Sequence, residues 1–370
     1  MMNNTYCVIM AGGVGSRFWP MSTASKPKQF LDVLGIGKTL IQMTYERMLT
    51  LTTAENIYVL TNKSYAKIVK EQLPELGIHQ ILTEPERKNT APCIAYAAAK
   101  IYSINRNATL VISPADQLIL KENRFKEIVS IAIETATEKT QLITLGIQPN
   151  RPDTGYGYIQ FSKTAEKYPG AILTVEQFKE KPDAKTAEMF IKEGNYYWNS
   201  GIFIWKASTV LDAIKKYEPE LHDLFAKDLN AYGNDNEQDK VDYCFKKCKD
   251  ISIDYAVMEH AQNVVVVLAD FDWSDLGTWG SIHTHLKKDS KNNAIIGQHA
   301  HLFNSSNCLV NVPNDKLVLI DGLNDYIVVE SDEMLMILKA DNEQQLKEYI
   351  KEVGIKSPDF FNEKSRPLGS

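Results

Sequence analysis

The sequence predicts an α/β fold with a mostly parallel sheet, followed by a smaller β-rich domain. In residues 1–150, short apolar runs alternate with longer amphipathic ones, and such alternation builds a sheet that helices cover on both faces. From about residue 285 the pattern changes to short apolar bursts separated by Asn, Asp, Gly, Ser or Pro. No helical pattern lies between these bursts, which is typical of a β-sandwich or a coiled β-solenoid.

The first domain is expected over residues 1–284. Its early elements are three buried strands and three helices: Tyr6–Met10, Asn56–Leu60 and Thr109–Ser113, and Leu40–Leu51, Tyr65–Leu73 and Ala91–Ile104. The last helix follows Asn89, a good capping residue, and carries Pro92 near its start. Ligands of such sheets bind beyond the carboxyl ends of the strands, so the residues that follow each strand are the functional candidates.

The second domain is expected over residues 285–358. Its apolar bursts are Ala294–Ile296, Cys308–Val312, Leu317–Ile320, Tyr326–Val329 and Leu335–Leu338. Apolar residues at helical spacing then predict a closing amphipathic helix, with Leu346, Tyr349, Ile350 and Val353 on one face. We expect residues 359–370 to form a flexible tail.

Composition excludes several classes of function. With 41 Lys and Arg against 47 Asp and Glu, the formal net charge is −6, which argues against binding nucleic acid by bulk charge. The longest apolar run, Val264–Ala269, is far shorter than the roughly 20 residues of a membrane span. We therefore expect a cytoplasmic protein without a nucleic-acid or membrane partner. Cys244 and Cys248 lack the further ligands of a zinc site and are expected to be buried free thiols.

A glycine-rich loop, residues 11–17, follows the first predicted strand. Its backbone N–H groups could approach a phosphate closely. A dinucleotide-binding fingerprint needs a third glycine where Phe18 stands, and a Walker A loop ending at Lys38-Thr39 needs glycine where Asp32 stands. Both of these interpretations fail. Arg17 and Lys28 could neutralise a triphosphate, although the glycines alone also fit a tight strand-to-helix turn.

Eight motifs occur in order along the chain: Gly12–Pro20 with Pro27-Lys28-Gln29, Asn89–Pro92, Pro114–Asp116, Thr154–Ile159, Phe178–Pro182, Trp198–Gly201, Ile253–Glu259 and Trp273–Gly277. Together they resemble the sugar-1-phosphate nucleotidylyltransferase family, and most closely its mannose-1-phosphate guanylyltransferase members. The resemblance covers roughly residues 6–340. It implies a Rossmann-like, GT-A type core with a mixed sheet, and a left-handed β-helix-like C-terminal domain of the kind often used for dimerisation.

The resemblance also implies a reaction. GMP would pass from GTP to α-D-mannose 1-phosphate with the help of Mg²⁺, giving GDP-mannose and pyrophosphate by in-line attack on the α-phosphorus. Two alternatives stay open: transfer to another sugar 1-phosphate or from another nucleotide, and a non-catalytic subunit that binds a nucleotide sugar. Many relatives carry a second, cupin-type isomerase domain, whereas we expect this chain to be monofunctional and homodimeric.

The resemblance assigns charged residues to the reaction. The candidate catalytic residues are Arg17, Lys28, Asp116 and Lys181. Asp116 and Asp275 each follow a predicted strand, and two carboxylates could bind one Mg²⁺ together with phosphate oxygens. The alternative for each aspartate is a capping role in a turn or helix.

The remaining candidates contact the substrates. The resemblance implies nucleotide contacts by Gly12, Gly13, Gly15, Ser16, Asn89 and Thr90, and sugar-phosphate contacts by Gly157, Glu180, Lys181 and Asn199. Arg87-Lys88 and Gln117 depart from residues common in relatives. Because Pro182 follows Lys181, we expect an extended chain there; the alternative for Glu180-Lys181 is a solvated surface turn.

Overall fold

The computed structural model describes residues 4–13, 15–331 and 334–358. Within these residues the chain forms two compact units. The first unit contains residues 4–12, 45–114 and 119–273, and the second contains residues 13, 15–44, 115–118, 274–331 and 334–358. The domain division at residues 284 and 285 stays a prediction, and the expected tail, 359–370, lies outside the described residues.

The strands up to residue 274 are β1 Thr5–Met10, β2 Ile57–Asn62, β3 Ile81–Glu84, β4 Thr109–Pro114, β5 Leu118–Ile119, β6 Leu142–Ile147, β7 Tyr158–Gln160, β8 Ile172–Thr174, β9 Gln177–Lys179, β10 Tyr196–Lys206, β11 Val264–Ala269 and β12 Trp273–Ser274. The helices are α1 Leu40–Leu49, α2 Ala66–Gln72, α3 Thr90–Ile104, α4 Glu122–Glu138, α5 Ala184–Glu193, α6 Ala207–Tyr217, α7 Pro219–Phe225, α8 Glu237–Lys247, α9 Trp279–His285 and α10 Leu346–Lys356. Short 3₁₀ turns occupy Ser16–Phe18, Lys28–Phe30, Ala54–Asn56, Lys63–Tyr65, Ile78–Gln80, Leu229–Ala231 and Ala340–Gln345, and Asp254–Met258 is a π-helical turn.

A ten-stranded mixed sheet forms the centre of the first unit, with the main order β3-β2-β1-β4-β10-β6-β11-β8. The four strands β3, β2, β1 and β4 run parallel, which confirms the prediction from the alternating pattern. β10 then lies antiparallel between β4 and β6, so the whole sheet is mixed, as the family resemblance implied. β7 pairs with both β10 and β9 at the side of this path.

Helix α3 packs in the core because its sequence is rich in alanine. Its residues from Ala91 to Ile101 are all buried, and small side chains allow close packing on every side. The helix begins as predicted: the Asn89 side chain accepts a hydrogen bond of 3.0 Å from the N–H of Thr90. The predicted buried thiols are also confirmed, since Cys244 and Cys248 are free and buried.

A coiled β-structure occupies the C-terminal part of the second unit. Its strands are β13 Ala294–Ile296, β14 Ala300–Phe303, β15 Leu309–Asn311, β16 Val318–Asp321, β17 Tyr326–Ser331 and β18 Met334–Lys339. β13, β15 and β17 pair in parallel, and so do β14 and β16. The strands from β13 to β17 therefore alternate between two sheets, which is the arrangement of a coiled β-solenoid and not of a sandwich. β18 ends the coil by pairing antiparallel with β17. β14 was missed because Ala300–Phe303 has only short, interrupted apolar character.

Polar residues connect one turn of this coil to the next. The Ser306 hydroxyl bonds to Asn324 at 2.7 Å, and the Asn307 amide donates to Asp325 at 2.6 Å, each pair 18 residues apart. Asn307 and Asp325 both have positive φ, 53° and 64°, a conformation that Asn and Asp tolerate better than most residues. The need for positive φ between successive strands explains why Asn and Asp separate the apolar bursts.

Trp279 anchors the apolar core of the second unit. The residue opens α9, is fully buried, and its ring packs edge-on against Phe18 with 5.2 Å between the ring centroids. Leu276, Ile327 and Leu338 belong to the same cluster. The part of the chain that the structure describes has no helix long and apolar enough to span a membrane.

We expect Trp279→Ala to destabilise the protein by about 3–5 kcal/mol, because it leaves a large cavity in this core. The matched control is Ile355→Ala in the same unit, where the isoleucine is 75% exposed; its effect should stay within about 0.5 kcal/mol. Chemical unfolding of the three proteins measures both values. Equal losses for the two variants would contradict the assigned core.

Candidate functional site

Lys28 lies at the centre of a charged cluster in the second unit. Its side chain is only 3% exposed, and its Nζ lies 3.2 Å from Oδ2 of Asp116. The same Nζ donates to the main-chain oxygen of Asp275 at 2.5 Å and lies 5.3 Å from the centroid of the Phe18 ring. Acceptors and an aromatic face thus compensate the burial of this positive charge.

The structure brings Asp116 and Asp275 to the same lysine, although they lie far apart in the chain. Asp116 follows β4 and its side chain remains 35% exposed, so the carboxylate can still accept a ligand. Oδ1 of Asp275 accepts the N–H of Gly277 at 3.1 Å, which holds the turn after β12. This turn bond matches the capping alternative for Asp275. Lys28 contacts the carboxylate of Asp116 but the main-chain oxygen of Asp275, so metal binding by the two carboxylates stays a prediction.

Arg17 extends from the 3₁₀ turn after the glycine loop. Its side chain is exposed, and Nη1 lies 3.5 Å from the carbonyl oxygen of Gly277. A methyl group at Gly277 would lie 2.7 Å from Oδ2 of Asp275 and 3.4 Å from Nη1 of Arg17. The guanidinium and the carboxylate thus both lie close to the Gly277 backbone, and a side chain there would crowd them.

The glycine loop depends on backbone conformations and close approaches. Gly15 has φ +53°, and a Cβ atom on it would lie 2.3 Å from Cβ of Lys28. Gly13 accepts a hydrogen bond of 3.1 Å from the Gln29 side chain. Val14 and the side chain of Ser16 lie outside what the structure describes, so the role of Ser16 stays a prediction.

Glu84 is a buried carboxylate that the sequence analysis did not single out. It ends β3, is almost fully buried, and accepts a hydrogen bond of 3.0 Å from the Cys93 thiol. A methyl group at Gly12 would lie 3.0 Å from Oε1 of Glu84, so the first glycine of the loop passes directly over this carboxylate. Burial raises the pKa of the Glu84 carboxyl above its ordinary value, and the Cys93 hydrogen bond opposes that rise. The sequence signal that could have identified Glu84 is its position at the carboxyl end of a strand.

Asn89 and Thr90 have structural partners. Asn89 caps α3, and the Thr90 hydroxyl accepts the N–H of Ile253 at 2.8 Å. These bonds leave the Asn89 amide donors and the Thr90 hydroxyl proton for a ligand. Nucleotide binding by both residues stays a prediction.

The predicted sugar-phosphate residues meet in the first unit. The Asn199 N–H donates to the carbonyl oxygen of Gly157 at 2.8 Å. A methyl group at Gly157 would lie 2.5 Å from Oε2 of Glu180 and 3.4 Å from Cβ of Asn199. Glu180 is 8% exposed, whereas the Lys181 side chain is 60% exposed and places Nζ 3.1 Å from Oε1 of Glu180. The structure thus groups all four of these residues.

The expected extended chain at Lys181 is wrong. Its φ is +43°, in the left-handed region that non-glycine residues rarely adopt. Pro182 disfavours the right-handed helical region for Lys181 but does not by itself impose an extended chain. The N–H of Glu180 is held by Oε1 of Glu259 at 3.1 Å, so the surrounding structure fixes the turn. Such strained residues concentrate at ligand sites.

Asp254 is a second residue whose role the sequence did not reveal. It opens the π-helical turn Asp254–Met258, and its Oδ1 accepts from the Asn199 amide at 3.0 Å. Burial, reinforced by the negative charge of Glu180, raises the pKa of Asp254 above its ordinary value, and the hydrogen bond from Asn199 opposes that rise. Asp254 lies in one of the eight motifs, but nothing in its spacing indicated the contact with Asn199.

We expect Gly15→Ala to lower the melting temperature more than Gly37→Ala. Both glycines have positive φ, but a Cβ atom at Gly15 would collide with Lys28, whereas one at Gly37 meets nothing within 4 Å. The comparison therefore isolates the steric effect from the cost of the backbone conformation. Thermal unfolding measures the difference, and equal shifts would contradict the close approach of Gly15 to Lys28.

Comparison with known proteins identifies the protein family of this chain. The family model for nucleotidyl transferases matches residues 6–292, which is more than half of the chain. The chain therefore belongs to the nucleotidyl transferase family, as the ordered motifs predicted. Enzymes of this family generally use a divalent metal ion.

Two curated relatives and one solved structure are similar to this chain over most of its length. The chain is 38% identical over 369 residues to the alginate biosynthesis protein AlgA of Pseudomonas aeruginosa, covering 98% of this chain and 76% of AlgA. It is 36% identical over 346 residues to a mannose-1-phosphate guanylyltransferase of Klebsiella pneumoniae, covering 93% and 72%. A crystal structure described as a mannose-1-phosphate geranyltransferase from Thermus thermophilus superposes with a TM-score of 0.83 at 28% identity, covering 95% of this chain and 99% of the other.

Proposed function

We propose that this chain transfers GMP from GTP to α-D-mannose 1-phosphate, giving GDP-mannose and pyrophosphate. The observation that carries the proposal is the Lys28 cluster, in which one ammonium group contacts both Asp116 and Asp275. The relatives named mannose-1-phosphate guanylyltransferase support the choice of substrates. A triphosphate needs a cation and carboxylates that can hold a metal ion; Lys28 would supply the cation, and Asp116 and Asp275 would supply the carboxylates.

The chemistry needs no covalent intermediate with the protein. An oxygen of the sugar phosphate forms a bond to the α-phosphorus of GTP, and the bond from that phosphorus to the bridging oxygen of the β-phosphate breaks. Pyrophosphate leaves with the bonding electrons. Because both reactants are anions, positioning and charge neutralisation are the main contributions of the protein. Arg17, Lys28 and the N–H groups of Gly12, Gly13 and Gly15 would bind the triphosphate, with Ser16 beside them.

Asp116 and Asp275 fit a Mg²⁺ ion by their donor chemistry. Within residues 4–13, 15–331 and 334–358, no three His, Cys, Asp or Glu side chains gather as metal ligands, and Mg²⁺ is commonly held by one or two carboxylates with phosphate oxygens and waters. A bound Mg²⁺ would supply neutralisation of the triphosphate charge. Lys28 keeps its cation beside Asp116, which limits the repulsion between that carboxylate and the incoming phosphates.

The remaining residues would recognise the sugar and the base. Lys181 would bind the sugar phosphate, and Glu180, Asn199 and the N–H of Gly157 would bind sugar hydroxyls. Guanine presents N–H donors that need acceptors in its site. Glu84, buried beneath Gly12, would be a candidate acceptor, and Asn89 and Thr90 would supply donors.

We further infer a homodimer formed through the coiled β-structure of residues 294–339. Phe303, Leu317 and Leu319 on or beside β14 and β16 are largely exposed, and exposed apolar groups of this kind often form an interface. Sedimentation of the purified chain measures its assembly. The cytoplasmic location of the enzyme remains a prediction.

A panel of triphosphates and sugar 1-phosphates tests the proposed reaction. With Mg²⁺ present, we expect the purified chain to release pyrophosphate fastest with GTP and mannose 1-phosphate. Preference for another pair would establish the alternative substrates, and binding of a nucleotide sugar without turnover would establish the regulatory alternative. Lys28→Met should abolish release, while Lys26→Met is the matched control, because Lys26 lies two residues before Lys28 in the chain but is exposed.

We expect Asp275→Asn to lower turnover at saturating Mg²⁺ about a hundredfold, because it removes a charge from the proposed metal site. Its effect on the melting temperature should be small. The matched control is Asp272→Asn, an exposed carboxylate that pairs with Lys121. Equal turnover of Asp275→Asn and the parent enzyme would remove Asp275 from the metal site.

A further inference from the structure

We propose that Asp254 is a positioning residue of the sugar site, which holds the Asn199 amide in the one orientation that leaves an N–H for a sugar hydroxyl. This inference rests on the proposed function, because the sugar phosphate is its ligand. Asp254 would not touch the substrate. It would act through Asn199.

The orientation of the Asn199 amide follows from its neighbours. Gly201 offers an N–H 3.2 Å from Oδ1 of Asn199, and a backbone N–H can only donate, so this side of the amide must be the oxygen. The Thr144 hydroxyl lies 2.7 Å from the same oxygen. The amide nitrogen then faces Oδ1 of Asp254 at 3.0 Å. No described residue accepts a hydrogen bond from the second N–H of Asn199.

Hydrogen bonds on both sides of Asp254 fix the backbone of its segment, and this defines where its carboxylate lies. The N–H of Ile253 donates to the Thr90 hydroxyl at 2.8 Å, and the carbonyl of Ile251 accepts the N–H of Ala91 at 3.1 Å. At the other end of the turn, Glu259 holds the N–H of Glu180 at 3.1 Å. The segment Ile251–Glu259 therefore connects the start of α3 with the backbone of the Glu180–Lys181 turn.

The local backbone supports a role in binding. Asp254–Met258 is a π-helical turn, and single π-helical turns are frequent at functional sites. The negative charge of Glu180 also acts on Asp254, and the Asp254 carboxylate accepts directly from the Asn199 amide. Removal of Asp254 would leave the Asn199 nitrogen without its acceptor, and the bonds from Gly201 and Thr144 to Oδ1 would then hold the amide at one end only. The main-chain bonds to residues 88–91 would remain.

The test compares two truncations within the same turn. Asp254→Ala should raise the KM for mannose 1-phosphate about tenfold, the effect of losing one charge-assisted hydrogen bond. The KM for GTP should change less than twofold, because the bonds to the start of α3 are untouched. Val257→Ala is the matched control: Val257 is fully buried in this turn, so its truncation should lower the melting temperature and leave both KM values unchanged.

A conservative variant separates positioning from packing. Asp254→Asn keeps an oxygen that can accept from Asn199 but loses the charge, so its KM for mannose 1-phosphate should lie between those of the parent and Asp254→Ala. An unchanged KM in Asp254→Ala, or an equal rise in Val257→Ala, would overturn the inference while the proposed function stands. A parent enzyme that turns over no sugar phosphate would overturn both.

Discussion

The buried ammonium group of Lys28 is the constraint on which the charged cluster of the second unit depends. Removing such a cation from water costs several kcal/mol unless acceptors replace its hydration. Those acceptors come from Asp116 and Asp275, so three distant chain segments must meet at one atom. Phe18 lies against both Lys28 and Trp279. The apolar core of this unit and its charged cluster therefore share one side chain.

Phe18 also explains why a dinucleotide-binding interpretation fails here. At this position a dinucleotide fingerprint requires glycine, so that a helix can pack closely on a strand. In this chain the position instead carries a large ring that fills the core beside Lys28. The glycines that remain serve close backbone approaches: Gly12 passes over Glu84, and Gly15 lies against Lys28.

Much of the fold could be predicted because the determining signals are local. The apolar runs of β1, β2 and β4 are continuous since these strands are buried on both faces, and the Asn89 cap marks the start of α3. The position of β10 between β4 and β6 could not be predicted, because strand order depends on long-range pairing that no local pattern encodes. β14 was missed for a different reason, since none of its four residues is fully buried and they alternate between half-buried and exposed.

The candidate site also contains some residues that the sequence predicts and others that only the structure reveals. Lys28, Asp116 and Glu180 could be found because the ordered motifs carry them, and because residues after a strand are the natural candidates. The roles of Glu84 and Asp254 depend on which atoms face them in space, and sequence spacing gives no access to that. The left-handed conformation of Lys181 is equally a product of tertiary contacts, which override the local preference set by proline.

The hydrogen bonds between turns of the coiled β-structure, residues 294–339, limit how this part of the chain can vary in length. Ser306 and Asn324, like Asn307 and Asp325, lie 18 residues apart, and the paired strands β14 with β16 and β15 with β17 keep that offset. Each turn contacts mainly its neighbours, so the coil behaves as a one-dimensional stack. The turn from β13 to β15 is shorter, with paired residues 15 apart. Turns of two lengths thus keep the strands paired, but an insertion that does not complete a turn would shift the paired Asn and Asp residues out of register.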